Sequence, residues 1–211
     1  MNPKLFRFLF SRYVSRMVRK CWLDDHFNAS ELETILQQTW TDYLAEADKI
    51  PKQANLGNAL MMHFAALTLS AYRILHRQGI PKEEAIEMVS RVTKHITYTW
   101  TKRGKVLLTP FFPNKLNRLY AGMQFIMHTL FSRPGYQFTV ERFVDGFRED
   151  VTQCPVAVYM KEKGIPELCV RAWCGVDPGV VAIMDGKLTR TGTLAMGRDY
   201  CDFVFHLAEE D

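Results

Sequence analysis

The chain has 211 residues, 47% hydrophobic and 24% charged, which supplies enough apolar material for a buried core and excludes a disordered chain. The net charge of +4 is mild, so it implies no nucleic-acid partner. No apolar run approaches the ~20 residues that a membrane-spanning helix needs, and in a chain read as cytoplasmic the five cysteines are expected as reduced thiols.

Charge is concentrated only at the start, where Arg7, Arg12, Arg16, Arg19 and Lys20 crowd together. Phe6, Leu9, Tyr13, Met17 and Cys21 recur there at helical spacing, so helix one is predicted over about Pro3–Trp22 with the arginines on the opposite face. That face reads as solvated, with contact to an anionic membrane surface as the alternative. Arg7 interrupts the apolar stretch and no small-residue cleavage site follows, so it does not read as a secretory signal.

Ser30 and Glu33 have the spacing of a capping box, which predicts a second helix over Leu32–Ala47. A third is predicted from about Asn58 to Gln78, stopped by Gly79. Pro81 then opens a fourth that continues through Lys102 to Gly104, and Asn114–Ser132 makes a fifth, closed by Pro134-Gly135. After Tyr136 the alternation of Phe138, Val140 and charged residues suggests a strand. Cys154-Pro155 starts a short helix to Lys163, and Pro166 begins another through Cys174. Asp177-Pro178-Gly179 reads as a turn, Val180–Met184 as a strand, and Asp185-Gly186 as a hairpin signal. Leu188–Ala195 and Cys201–Leu207 read as two more strands. The expectation is an α+β fold: a helical region of about five helices (1–135), then a small antiparallel sheet with two short helices (136–211), together one compact unit.

Three cysteines of the second region stand in ordered settings. Proline after Cys154 puts this thiol at a helix N-cap, where unpaired amides and the helix dipole favour the thiolate; the plainer alternative is a small packing residue. Cys174 and Asp177 lie three apart, so on a helix they share a face, and a carboxylate beside a thiol can hold a cation or shuttle a proton. In the other reading Asp177 caps the turn ahead of Gly179. Cys201 shares its strand face with Phe203 and Phe205, which suits a core position. Cys21 and Cys169 sit in apolar helical stripes and read as packing. Cys154, Cys174, Cys201 and Asp177 are also chemically able to bind zinc, but the paired spacing of a zinc finger or ribbon is missing. Arg190 and Arg198 are the best anchors for a substrate carboxylate. His63, His95, His128 and His206 read as structural, and no phosphate loop, dinucleotide fingerprint or HExxH is present.

Cys154-Pro155, Gly164-Ile165-Pro166-Glu167-Leu168, Trp173-Cys174 with Asp177, Leu188–Arg190 with Thr193-Leu194-Ala195 and Gly197, and Cys201-Asp202-Phe203-Val204-Phe205 together resemble the C-terminal signature of the L-2-amino-thiazoline-4-carboxylic acid hydrolase family. The motifs cover about residues 145–207. Upstream, Tyr72-Arg73 and Gly79 before Pro81 are loosely similar. The resemblance implies a small-molecule substrate and hydrolytic opening of a cyclic isothiourea at a carbon–nitrogen bond, with no cofactor. It also implies roles: Cys154 or Cys201 as nucleophile, Asp177 as orienting carboxylate or proton shuttle, Arg190 on the substrate carboxylate, and Thr193, Cys174 and Asp202 lining the substrate. A looser similarity to vinyl-reductase-type domains implies instead a non-enzymatic ligand- or metal-binding module, zinc being the metal. The oligomeric state stays open, and a homo-oligomer is compatible with either reading.

Overall fold

The computed structural model describes residues 1–23 and 26–208, so residues 209–211 of the second region lie outside it. Five helices come first: α1 (Pro3–Trp22), α2 (Ala29–Ala45), α3 (Leu56–Arg77), α4 (Lys82–Leu108) and α5 (Lys115–Thr129). The hairpin β1 (Gln137–Phe143) and β2 (Gly146–Gln153) follows, then α6 (Pro155–Glu162), α7 (Pro166–Ala172), α8 (Asp177–Ile183), β3 (Gly186–Thr189) and β4 (Cys201–Leu207). The strands form one antiparallel sheet in the order β1-β2-β4-β3. The α+β expectation therefore holds, with three short helices in the second half among the described residues rather than two.

Several boundaries move for identifiable reasons. The second helix starts at Ala29 because Asn28, not Ser30, is its cap: Asn28 Oδ1 accepts from Ser30 N and Glu31 N, and Glu31 Oε2 closes the box onto Asn28 N at 2.9 Å. Glu33 is left free to pair with Arg19 at 2.6 Å. In the fourth helix Pro81 is the N-cap rather than the first helical residue, and the helix runs through Gly104 to Leu108. A glycine inside a helix costs only about 1 kcal/mol, and Gly104 lacks the left-handed backbone that Gly79 uses at φ 87 to end α3.

The largest departure lies at 177–195. The expected Asp177 turn and the strand Val180–Met184 are instead α8, with Pro178 in its first turn. Val180 and Val181 favour strands locally, but burial of both against the rest of the fold outweighs that preference. Asp185 is no hairpin turn either; at φ 66 it turns the chain from α8 into β3. Its carboxylate accepts from Lys105 Nζ at 2.6 Å and from buried Arg118 Nη2 at 2.8 Å, tying α4 and α5 to this corner. The strand expected over Leu188–Ala195 stops at Thr189 because Asp202 draws Thr191 and Gly192 into a loop.

The largest cluster of buried apolar side chains takes residues from α1 (Phe6, Trp22) through α7 (Leu168, Cys169) to Ala195, so both regions share one core. Trp22 Nε1 donates to Met88 O at 3.0 Å, and Tyr43 Oη meets His63 Nδ1 at 2.6 Å beneath Phe6. On the inner face of the sheet, β2 and β4 pair Phe147 with Phe205, Glu149 with Phe203 and Val151 with Cys201.

Glu149 is the anomaly of that face: a carboxyl 1% exposed, accepting from Gln124 Nε2 at 2.6 Å. Burial pushes its pKa up to about 7, against the lowering effect of the Gln124 bond. A folded-state value above the unfolded one means that the unfolded chain releases this proton first, so stability falls as pH rises from about 4.5 to about 7. The loss is on the order of 3 kcal/mol. Glu149→Gln keeps the shape and the Gln124 contact without the charge. Its urea midpoint should match the wild type near pH 4 and exceed it near pH 8; identical pH profiles for the two proteins would contradict this.

Candidate active site

Cys154 is the N-cap of α6, as its Cys-Pro sequence predicts, and its Sγ accepts from Ala157 N at 3.4 Å. The expected electrostatic consequence does not follow. Dense burial pushes the Cys154 thiol up to about 12, outweighing the amide bonds, and the neighbouring Cys174 and Cys201 add to the rise. A helix of eight residues offers a weak dipole, and desolvation of a thiolate exceeds it.

Cys174 opens a 3-10 turn, Cys174–Val176, between α7 and α8, and Asp177 is the first residue of α8. The backbone stays helical from Cys174 through Asp177, and the Asp177 charge acts on the Cys174 thiol. The two residues are joined by Arg190, which follows β3: its Nη1 donates to Asp177 Oδ2 at 2.7 Å and its Nη2 to the Cys174 carbonyl at 2.8 Å. The guanidinium also lies 5.7 Å from the Phe203 ring centroid. Arg190 is thus engaged with the protein on both terminal nitrogens, a structural role that its expected contact with a substrate carboxylate did not include. Asp177 bonds no turn amide, so it is not a cap.

The thiol of Cys174 is lowered from its ordinary value, first by the Cys169 thiol beside it, then by Thr193 and Arg190, against burial and the Asp177 charge. Cys169, 1% exposed, is the partner pushed upward. Asp177 is densely surrounded, which raises it to about 6 despite Arg190, yet 34% of its side chain stays accessible. Tyr98 of α4 stands beside Asp177, and burial followed by that charge raises its phenol.

Cys201 and Asp202 support this arrangement from β4. Cys201 Sγ accepts from Leu194 N at 3.3 Å, and burial pushes its thiol up to about 12. The Asp202 carboxylate accepts from Thr191 N at 2.9 Å, Thr191 Oγ1 at 2.7 Å and Gly192 N at 3.0 Å. Partial burial works against its charge, but these bonds prevail and hold it at about 2. Both residues therefore fasten the 191–194 loop, and Asp202 is occupied by that loop instead of facing a substrate. Thr193 is fully buried, and its Oγ1, like Tyr136 Oη, has no fully formed hydrogen bond among the described residues. Thr193 adjoins Cys174 and Tyr136 adjoins Cys154. Arg198 packs against Gly192.

The model of the L-2-amino-thiazoline-4-carboxylic acid hydrolase family matches residues 58–205, beginning within α3 and ending in β4. The chain belongs to this family. The match reaches far upstream of residue 145, so most of the helical half belongs to the family pattern along with the cysteine motifs. No curated protein and no solved structure matches the chain. For this hydrolase-family member the clustered residues are Cys154, Cys169, Cys174, Asp177, Arg190, Thr193 and Cys201, with Tyr98 and Tyr136 at the margin. Sequence reasoning missed Tyr98, Tyr136 and the part played by Cys169. The signal for Cys169 was its spacing of five from Cys174, which reads as packing until α7 ends between them. Among the described residues no group of three or more His, Cys, Asp or Glu side chains is arranged to hold a metal ion, as the zinc alternative requires. A surface groove of ≈ 990 Å³ lies elsewhere, along α1 and α2, and touches none of these residues.

Gly179 sets the approach of α8 to α4, because a Cβ there would lie 2.1 Å from Tyr98 Oη. Gly179→Ala is expected to cost about 1–3 kcal/mol of stability by displacing the Tyr98 ring. In a Tyr98→Leu background the same change should cost clearly less; equal costs in a double-mutant cycle would contradict the contact.

Proposed function

We propose that this protein hydrolyses a small cyclic amidine or isothiourea of the 2-amino-thiazoline-4-carboxylate type, with Cys174 as nucleophile. Support comes from family membership, which gives a hydrolase-type function, and from one observation: among the five cysteines, Cys174 is the one whose surroundings favour the thiolate. It adjoins a carboxylate suited to a cationic amidine. The sequence-level assignment of Cys154 or Cys201 as nucleophile gives way, because both thiols are held protonated by burial and serve as hydrogen-bond acceptors for backbone amides.

The ring carbon of such a substrate, bonded to sulfur and two nitrogens, is electrophilic when the amidine is protonated. Asp177, ionised above about 6, holds the amidinium. Arg190 fixes that carboxylate and, through the Cys174 carbonyl, the turn that carries the thiol. Attack by the Cys174 thiolate forms a carbon–sulfur bond; the carbon–nitrogen bond to the ring nitrogen then breaks, and that nitrogen takes a proton relayed by Asp177. Water adds to the resulting carbon and expels Cys174 as thiolate, leaving an S-carbamoyl product that differs from the substrate by one water. The Thr193 hydroxyl, beside Cys174, is placed to donate to the thiolate. In this reading the location is cytoplasmic.

Turnover is checked by following the gain of one water by mass spectrometry. Cys174→Ala should lose about 10³-fold or more in kcat, whereas Cys154→Ser and Cys201→Ser should stay within about ten-fold of wild type. Binding without turnover by the wild type, or full turnover by Cys174→Ala, would overturn the assignment. A second check uses pH. Activity should rise as pH climbs through about 6, where Asp177 becomes the carboxylate, and Asp177→Asn should remove that limb.

A further inference from the structure

Residues 1–23 contain six Lys and Arg and no Asp or Glu, more positive charge than the whole chain's net +4. The core-facing side of α1 is fully used: Phe6, Val14, Met17, Val18 and Trp22 are buried. The opposite side is a single stripe at spacings of three and four, made by Leu5, Phe8, Leu9, Arg12, Arg16 and Arg19. Its N-terminal turn is apolar and open, with Leu5 50%, Phe8 80% and Leu9 55% exposed. Its C-terminal turns are cationic, and Arg12, Arg16 and Arg19 are exposed. Beside the stripe run two contiguous grooves that share Arg7, Ser11 and Arg12; the larger, ≈ 990 Å³, is bounded by Arg16, Arg19 and Lys20 with Glu33 as its one carboxylate.

The chemistry of this face selects among occupants. A second copy docking α1 on α1 would bring twelve cations together with no acid on either helix, which repels. A peptide-binding groove would need the apolar side of α1, which is already committed to the core. A purely polar polyanion leaves three large apolar side chains in water. An anionic phospholipid surface satisfies both halves: phosphates for the arginines, and the boundary between headgroups and acyl chains for Leu5, Phe8 and Leu9. None of the described helices is long and apolar enough to cross a membrane, so the contact is peripheral.

We propose that the outer stripe of α1 docks this protein on an anionic phospholipid surface, with Leu5, Phe8 and Leu9 inserted and Arg12, Arg16 and the groove arginines on lipid phosphates. The surface is separate from the thiol site, so the inference stands whether or not the proposed hydrolysis is correct.

The test is sedimentation of the full chain with phosphatidylcholine vesicles, with and without phosphatidylserine, at low and high salt. The wild type should sediment with the phosphatidylserine vesicles at low salt, much less at high salt, and not with phosphatidylcholine alone. Phe8→Ser/Leu9→Ser and Arg12→Gln/Arg16→Gln should each weaken binding at least about ten-fold while leaving the melting temperature and the reaction with small thiol reagents unchanged. Any of three results overturns the proposal: no preference for phosphatidylserine, sedimentation unaffected by both variant pairs, or a competing complex with soluble inositol phosphates that forms when vesicle binding does not.

Discussion

Arg190 is the constraint on which the rest of the candidate site depends. Its two terminal nitrogens join the Asp177 carboxylate at 2.7 Å to the Cys174 carbonyl at 2.8 Å, and its flat face rests near Phe203. With 15% of the side chain exposed, this fork is partly desolvated, where a charged pair is stronger than at a surface. One side chain thus fixes the turn after α7, the start of α8 and the inner face of β4. Removing it would leave the partly accessible Asp177 carboxylate without its cation, and burial would then raise that carboxyl further above the usual range.

The thiols show how burial and local bonding divide equivalent groups. Cys154 and Cys201 both accept a backbone amide, and both are still pushed up to about 12, because one long N–H···S contact does not offset the loss of water around a thiolate. Cys174 has a thiol, a hydroxyl and a guanidinium for neighbours, and there the balance reverses. The raised thiols hold loops: Cys154 begins α6, while Cys201 and Asp202 pin residues 191–194 so that Arg190 and Thr193 reach the site.

Much of this was legible in the chain. Cys-Pro followed by Gly164 announces a capped short helix, and Gly79 announces the end of α3, because those residues act through their own backbone. The family motifs contained Cys174, Asp177, Arg190 and Thr193, but together with Cys154, Cys201 and Asp202, and they implied attack by Cys154 or Cys201. What misled was local preference under tertiary control. Val180 and Val181 look like a strand, but they are buried in a helix, and the Arg190–Ala195 segment leaves the sheet because a carboxylate on another strand pulls it away. The ionisation of each thiol was not legible at all, since it depends on burial and on neighbours distant in sequence, such as Cys201 for Cys154 and Thr193 for Cys174.

The central claim is that Cys174 is the thiol poised to ionise. Its most direct measurement is a pH titration of ultraviolet thiolate absorbance in the wild type and in Cys174→Ala. The account predicts a thiolate transition below the ordinary value of 9.0 in the wild type that is missing from the variant. A variant that keeps the transition, or a wild type with no ionisation below that value, would contradict it.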